Sequence, residues 1–138
     1  MRILLLAVCA ALLSATSAAA VTPPKPEEHI EPTKMLGRWY EVARLPNKTQ
    51  RDCQAGISEW AREADGFDVL QVCHRGSVSA PPTEWKAKAK VLDPKTNARF
   101  KMTFFGGLLS QEYWVLEYRS DQGWLILGTP NGKYLWLM

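Results

Sequence analysis

Cys73 and His74 are the neighbouring residues in this 138-residue sequence whose types could support nucleophilic catalysis, because an imidazole can activate a thiol by removing its proton. They end a segment, residues 67–73, whose Val, Phe and Leu content is typical of a β-strand. Consecutive strand residues point to opposite faces, so the thiol and the imidazole cannot exchange a proton. We therefore predict no catalytic residue and no enzymatic activity.

Five basic residues alternate with other side chains in two segments that follow each other in the chain: Lys86, Lys88, Lys90, Arg99 and Lys101. A basic stripe interleaved with aromatic residues is typical of small barrels that bind oligonucleotides. In this sequence the aromatic residues occupy the intervening positions, which face the other side of a strand. Because nucleic-acid stacking needs both kinds of side chain on one surface, the stripe predicts a solvated outer wall and no nucleic-acid partner.

Histidine, cysteine and acidic residues form no cluster with metal-ligand spacing, and the sequence has no glycine-rich phosphate loop. We therefore predict no metal and no other cofactor. Glu41 shares a strand face with Trp39, and if that face is inward its carboxylate lies inside the domain. Its expected role is structural, as a charge held by a neighbouring arginine or by water.

Residues 1–20 have a positively charged start, an apolar core and a small-residue cleavage site, which together are typical of a secretory signal peptide. The apolar core is too short to span a bilayer. We predict cleavage after Ala20 and a periplasmic or secreted protein. Cys9 follows the bulky Val8, a poor fit to the small residue that lipoprotein processing needs before its cysteine, so no lipid anchor is expected.

Residues 21–34 contain four prolines among charged residues, so we expect a stiff, solvated lead-in to one domain over residues 35–138. Without the signal peptide the formal net charge falls from +3 to +2, too slight to argue for an anionic partner. Cys53 and Cys73 then remain, and in an exported protein an even pair is typical of a disulfide. A tight turn at residues 65–66 pairs the segments that carry them, so we predict a Cys53–Cys73 bond.

About eight short segments of strand composition follow one another, with turn signals between them. The clearest are residues 85–91 and 99–104, in which side chains alternate at the two-residue period of a half-buried strand. The connections are short enough to join antiparallel neighbours, and no stretch has the period of a long amphipathic helix. The sequence therefore predicts an all-β domain, either a sandwich or an up-and-down barrel.

The alternation assigns a face to each strand residue when charged positions are placed outward. The side chains then predicted to point inward are aromatic and apolar with a few polar ones, which suits a ligand pocket. Those proposed to contact a ligand are Ser58, Trp60, Val69, Gln71, Trp85, Phe100, Met102, Phe104, Trp114, Leu116 and Tyr118. The same inward set is also compatible with a filled hydrophobic core.

The stretch from Gly37 to Arg44 places a glycine two residues ahead of a tryptophan in the first strand. It resembles the lipocalin family, and in particular the bacterial, apolipoprotein-D-like branch. Similar pieces follow in the same order: Arg44-x-Pro46-Asn47, Cys53, Asp65-Gly66, Val69-Leu70-x-x-Cys73-x-Arg75, Phe104-Phe105, Tyr113-Trp114-Val115-Leu116, Trp124-x-x-x-Gly128 and Tyr134-Leu135-Trp136-Leu137. The resemblance covers residues 35–138. It implies an eight-stranded antiparallel up-and-down β-barrel, a lipocalin-like calyx closed at one end by Gly37 and Trp39.

The resemblance also implies a function: a non-catalytic carrier that binds a small hydrophobic or amphiphilic ligand inside the barrel, in the cell envelope. A fatty acid or a lysophospholipid is the expected kind of ligand, and peripheral association with membrane lipid would accompany it. An alternative of another class is an exported barrel that binds or inhibits another protein through its rim and its N-terminal arm. Co-purified lipid would favour the carrier, and an interior filled with side chains would favour the protein-binding barrel.

The sequence departs from the family in one respect. In lipocalins the last barrel strand is followed by an arginine that stacks over the first-strand tryptophan, and then by a helix on the barrel wall. The sequence ends at Met138, before either. Apolar outward residues of the last two strands would then have no cover from this chain, so an exposed patch and a dimer formed through it are expected.

Overall fold

The computed structural model describes residues 24–138, which form one antiparallel sheet of nine strand segments. The segments in chain order are β1 (Gly37–Tyr40), β2 (Ala43–Arg44), β3 (Cys53–Glu63), β4 (Gly66–Arg75), β5 (Pro82–Val91), β6 (Arg99–Phe104), β7 (Leu109–Arg119), β8 (Trp124–Gly128) and β9 (Leu135–Leu137). The predicted all-β, antiparallel class is confirmed. The predicted signal peptide, residues 1–20, lies outside the described residues. Within residues 24–138, no helix has the length and apolarity needed to cross a membrane.

The sheet curls on itself because its two edge segments are consecutive in the chain. β1 pairs with β3, whereas β2 pairs with β9, so one bent strand joins both sides of the sheet. At the bend the Glu41 N–H donates to the Gly56 carbonyl at 2.9 Å, and the Val42 N–H donates to the Leu137 carbonyl at 2.8 Å. With β1 and β2 counted as one strand, the sheet is the predicted eight-stranded up-and-down barrel.

Gly37 turns the chain into β1. Its φ of 98° lies in the left-handed region that favours glycine, and a Cβ built there meets no atom within 4 Å. The glycine therefore permits a backbone kink, not a close approach of a neighbour. Trp39 then points into the barrel. It donates its indole N–H to the Met35 carbonyl at 3.0 Å and meets Tyr118 edge-on, with ring centroids 6.4 Å apart.

The hydrophobic core fills the end of the barrel that Trp39 occupies, which we call the closed end. Trp60, Phe67 and Phe100 pack edge to face there, with centroids 5.4 to 5.8 Å apart. Val115 from β7 and Leu125 from β8 are fully buried against the same cluster. Because this end is packed solid, any cavity must lie in the other half of the barrel.

The lead-in crosses the closed end instead of extending into solvent. Ile30 is 1% exposed and belongs to the core, and its N–H donates to the Thr96 carbonyl at 2.7 Å. The Glu27 N–H donates to the Val115 carbonyl at 2.7 Å, while its carboxylate accepts the Tyr118 N–H at 3.1 Å. The expectation of a solvated lead-in is therefore wrong for this part of it. Proline excludes a segment from a central ladder, but it allows an extended crossing that makes isolated hydrogen bonds.

The predicted disulfide is confirmed. Antiparallel pairing of β3 with β4 brings Cys53 and Cys73 together, and their bonded sulfurs join Cα atoms 5.6 Å apart. His74 turns away and donates its Nδ1–H to the Ala80 carbonyl at 2.6 Å. The cysteine and the histidine therefore do not form a nucleophile–base pair.

The basic stripe lies on the outer wall. Lys88 Nζ contacts the Asp68 carboxylate at 2.9 Å, and Arg99 contacts the Glu112 carboxylate at 2.7 Å. The hydrogen bond between Lys88 and Asp68 raises the pKa of the lysine and lowers the pKa of the aspartate. Neighbouring carboxylates thus offset part of the stripe's positive charge.

Candidate ligand-binding site

A cavity of about 480 Å³ occupies the half of the barrel opposite the closed end. This volume lies in the range typical of small-molecule sites. Five of the proposed ligand contacts line it: Ser58, Gln71, Trp85, Met102 and Phe104. The alternation of inward and outward positions along β3 to β6 brings these side chains to one interior surface.

Four other proposed contacts point inward without lining this cavity: Trp60, Val69, Phe100 and Tyr118. They belong to the closed-end core or pack against it. The two-residue period gives the face of a strand residue, but it carries no information about height along the barrel axis. It therefore cannot separate a core residue from a cavity-wall residue.

Trp114 and Leu116 of β7 lie on the outer side of the strand, so their predicted inward orientation is wrong. The Arg99 guanidinium lies over the Trp114 ring on the outer wall, 5.3 Å from its centroid. The Trp114 indole N–H donates to the Glu112 carboxylate at 2.6 Å. Leu116 lies against Gly128, where an added Cβ would contact its side chain.

A β-bulge explains the error. The pairing of β7 with β8 shifts register between Val115 and Glu117, which inserts one residue and reverses the alternation across that point. The prediction of inward and outward positions in β7 starts from the outward Glu117. It is therefore correct for Tyr118, which follows the bulge, and wrong for the residues at and before the bulge. On the N-terminal side, Tyr113 and Gln111 face inward instead.

Several cavity-lining residues were not proposed from the sequence: Glu41, Gln50, Gln111, Tyr113, Leu127, Trp136 and Met138. The pairing of Gln111 with Met102 and of Tyr113 with Phe100 would have identified two of them, since directly paired residues share a face. The Tyr113 ring lies 5.5 Å from the Trp136 ring. Burial, with a smaller contribution from Tyr134, raises the pKa of Tyr113 to about 12, so its phenol stays neutral at physiological pH.

A polar cluster at the cavity floor joins Ser58, Trp60 and Gln71. The Trp60 indole N–H donates to the Ser58 hydroxyl oxygen at 2.8 Å, and the Gln71 amide donates to the same oxygen at 2.9 Å. Ser58 is 2% exposed and sits directly above the packed aromatic core. The cluster satisfies the buried indole and holds the hydroxyl at a defined place on the cavity wall.

A second polar cluster surrounds Glu41, whose side chain is 6% exposed. Arg44 forms an ion pair with its carboxylate, and Gln50 donates to the other carboxylate oxygen at 2.7 Å. Arg44 also donates to the carbonyls of Gln50 and Cys53 at 2.9 and 2.7 Å. The expected structural role of Glu41 fits this geometry, because an arginine holds its charge. A Cβ at Gly56 would overlap the carboxylate, so glycine makes room for the pair.

The cavity mouth is formed by loops at the open end. Phe105 follows β6 with a φ of 51°, a left-handed conformation that is costly for a non-glycine residue. Its ring is 61% exposed and lines the cavity together with Leu109. Arg75 also lines the mouth and donates to the Thr49 carbonyl at 3.2 Å, and it forms no ion pair with any residue of the described range.

A larger groove of about 1050 Å³ lies on the outer wall of β3 to β5. It is an open surface crossed by the ion pairs Arg38–Glu59 and Lys88–Asp68. The interior cavity is the better candidate site, because its aromatic wall can remove a ligand from water. In the part of the chain that the structure describes, no group of three or more His, Cys, Asp and Glu side chains could hold a metal ion.

Comparison with known proteins decides the family. The profile of the lipocalin-like domain matches residues 30–138. The chain belongs to the lipocalin family. The outer membrane lipoprotein Blc of Vibrio cholerae is 32% identical over 142 residues, covering 100% of this chain and 80% of that protein. Apolipoprotein D of Macaca fascicularis is 31% identical over 98 residues, covering 69% of this chain and 49% of that protein. The resemblance identified from the sequence motifs is thus confirmed.

Solved structures show the same lipocalin fold. Insecticyanin from the tobacco hornworm Manduca sexta matches with a TM-score of 0.65 at 16% identity, covering 84% of this chain and 66% of its own. The cockroach allergen Per a 4 matches with a TM-score of 0.60 at 19% identity, covering 80% of this chain and 69% of its own. Lipocalins bind small lipophilic ligands and are generally non-catalytic, so the family supports a carrier of a small hydrophobic ligand.

Proposed function

We propose that this lipocalin carries a fatty acid, a lysophospholipid or a similar amphiphile in its interior cavity, without chemical turnover. The observation that carries the proposal is an aromatic cavity of about 480 Å³ inside a barrel with a packed floor. Met102, Phe104 and Trp85 supply apolar contact, with Ser58 and Gln71 as polar points. An anionic headgroup would lie at the mouth, where Arg75 is free to bind it.

We place the carrier in the cell envelope, as a periplasmic or secreted protein. The predicted signal peptide supports this location. The bacterial relatives named as outer membrane lipoproteins support it too, and they argue against the expectation that Cys9 carries no lipid. Mass spectrometry of the protein purified from its own membrane or periplasm distinguishes a free mature chain from a lipidated one.

We further propose that the open end touches a membrane when the ligand is exchanged. Its loops and the adjoining start of β7 expose five large apolar side chains: Leu45, Val78, Phe105, Leu108 and Leu109. Leu108 is 90% exposed, which gives it no packing role within the chain. The same loops carry three basic residues, Lys48, Arg51 and Lys133, against one acidic residue, Asp52, and the adjoining strand ends add one charge of each sign, Arg75 and Glu84. Apolar tips flanked by excess positive charge fit an anionic lipid surface.

Vesicle co-sedimentation tests the membrane contact. Binding to phosphatidylglycerol vesicles should exceed binding to phosphatidylcholine vesicles and should weaken as salt rises. Leu108→Asp should abolish most of it. Leu92→Asp is the matched control, because Leu92 is also exposed but lies in a loop at the closed end. Equal binding by the two variants would contradict the proposal.

The protein-binding alternative receives less support from the structure. It predicted an interior filled with side chains, whereas the described barrel contains a cavity. It also relied on a free N-terminal arm, whereas Ile30 and Glu27 tie that arm to the closed end. The carrier is therefore the function that the geometry supports best.

Competition binding with octanoic, decanoic and dodecanoic acids tests the carrier directly. Each added pair of methylenes should tighten binding by roughly tenfold until the cavity is full, at about 0.8 kcal/mol per buried methylene. Phe104→Glu places a charge on the cavity wall and should weaken binding. Thr103→Glu is its control, one residue away on the outer face. Affinity that does not depend on chain length, or equal loss in both variants, would refute binding inside the barrel.

A further inference from the structure

In the polar cluster at the cavity floor, one hydrogen-bond donor has no acceptor among the described residues. The Ser58 oxygen already accepts the Trp60 indole N–H and one Gln71 amide N–H, so its two lone pairs are occupied. Its own hydroxyl proton has no acceptor among the described residues. With Ser58 only 2% exposed and lining the cavity, the space left for an acceptor is the cavity itself.

The opposite orientation of the Gln71 amide also leaves a donor without an acceptor at the floor, but that donor then belongs to Gln71. The amide oxygen would then accept the Ser58 proton, and the amide nitrogen would face the cavity with two donors of its own. In both arrangements the indole of Trp60 donates to Ser58, and at least one N–H or O–H at the floor lacks an acceptor among residues 24–138. A buried donor without a partner is costly, so a ligand that satisfies it is favoured.

The charges around the cavity decide what kind of acceptor fits. Glu41 lines the same cavity, and Arg44, the one cation that pairs with it among the described residues, already donates to that carboxylate and to the carbonyls of Gln50 and Cys53. A second carboxylate deep in the cavity would be desolvated near Glu41 with no free cation to pair with. The free arginine, Arg75, lies at the mouth. The floor therefore fits a neutral oxygen, as in a ketone, ester or ether.

We propose that the donor at the cavity floor, which is the Ser58 hydroxyl or, in the other amide orientation, the Gln71 amide, selects ligands that carry a neutral oxygen acceptor in the part of the molecule that enters the barrel first. This inference rests on the proposed carrier function and narrows it. A plain acyl chain would fill the apolar wall but leave the floor donor unpaired. A lipophile with an internal carbonyl or ether oxygen would contact the apolar wall and also accept the hydrogen bond from the floor donor.

A pair of nearly isosteric probes isolates the oxygen. 2-Acetylnaphthalene and 2-ethylnaphthalene differ by a carbonyl in place of a methylene, and each is measured by displacement of the neutral dye N-phenyl-1-naphthylamine. In Ser58→Ala with Gln71→Leu, which removes both candidate donors from the floor, the preference for the acetyl probe over the ethyl probe should fall by roughly three- to tenfold relative to the unmodified protein, the value of one lost hydrogen bond. The two affinities are compared as a ratio within each variant, so a change in the barrel that weakens both probes equally does not affect the ratio.

Two further variants keep the test decisive. Ser58→Thr retains the hydroxyl and should retain the preference. Ser58→Cys with Gln71→Leu keeps an acceptor for Trp60 but leaves only a weak donor at the floor, so it should lose the preference even where the alanine double variant is too unstable to study. If both probes bind and their ratio is the same in all variants, the floor donor does not select ligands. If neither probe displaces the dye from any variant, the carrier function itself fails.

Discussion

The Glu41–Arg44 pair allows the sharpest prediction about stability. Arg44→Met removes the cation and leaves Glu41, only 6% exposed, with Gln50 as its remaining partner. It also removes two hydrogen bonds to the Gln50 and Cys53 carbonyls. Leaving a buried charge uncompensated costs about 3–5 kcal/mol. The Arg44 side chain is 22% exposed, so solvent partly screens the pair and the lower part of that range applies.

Comparison of Arg44→Met with a double variant separates the charge from the packing. Arg44→Met should lower the free energy of unfolding by about 3 kcal/mol, measured by urea denaturation with an unchanged m-value. Glu41→Gln combined with Arg44→Met should be clearly more stable than Arg44→Met alone, because glutamine keeps a partner for Gln50 without the charge. If the double variant is no more stable than the single one, the ion pair does not explain why Glu41 is tolerated inside the barrel.

Four further outcomes are expected. Cys53→Ser with Cys73→Ser should lower the unfolding free energy by about 3 kcal/mol, since the bond closes a separation of 20 residues; an unchanged urea midpoint would contradict this. Phe105→Gly should raise stability by about 1 kcal/mol in the same assay by relieving its left-handed backbone, and a loss would show that the ring packs usefully. An ultraviolet titration should show a tyrosine ionising near pH 12 that Tyr113→Phe removes. The expected apolar patch on the last two strands is not exposed, since none of the exposed large apolar side chains of residues 24–138 lies in β8 or β9. Self-association measured by sedimentation velocity should therefore depend on Val42, which is 73% exposed, and Val42→Asp should reduce it; a monomer at every concentration would refute the dimer.

The strands were predictable because each carries a local signal. Alternation in β5 and β6 and the turn residues between segments identified the elements, and the motif around Trp39 selected a barrel over a sandwich. The disulfide followed from the hairpin that pairs β3 with β4. These features depend on residues close in sequence or on one recurring period, which a single sequence displays directly.

The cavity wall was only partly predictable, for two physical reasons. The bulge before Glu117 reverses the side-chain phase of β7, and no turn residue or proline marks it in the sequence. The height of a residue along the barrel axis depends on the register between strands, which alternation does not give. Alternation therefore cannot distinguish Trp60, below the cavity floor, from Trp85, on the cavity wall. The docking of Ile30 was missed because it is one apolar residue in a polar, proline-rich segment.

Occupancy of the cavity is tested most directly by quenching with a brominated fatty acid, because bromine quenches only indoles that it contacts closely. Trp85 and Trp136 line the cavity, whereas Trp114 and Trp124 do not. With 12-bromododecanoic acid at roughly 100 μM, enough to saturate a site of micromolar affinity, emission should fall with one-to-one stoichiometry. Trp60 at the floor lies nearest the brominated chain end, so Trp60→Phe with Trp85→Phe and Trp136→Phe should remove most of that quenching, and Trp114→Phe with Trp124→Phe should retain it. Quenching that is absent, or that the second pair removes instead, would show that the ligand does not enter the barrel.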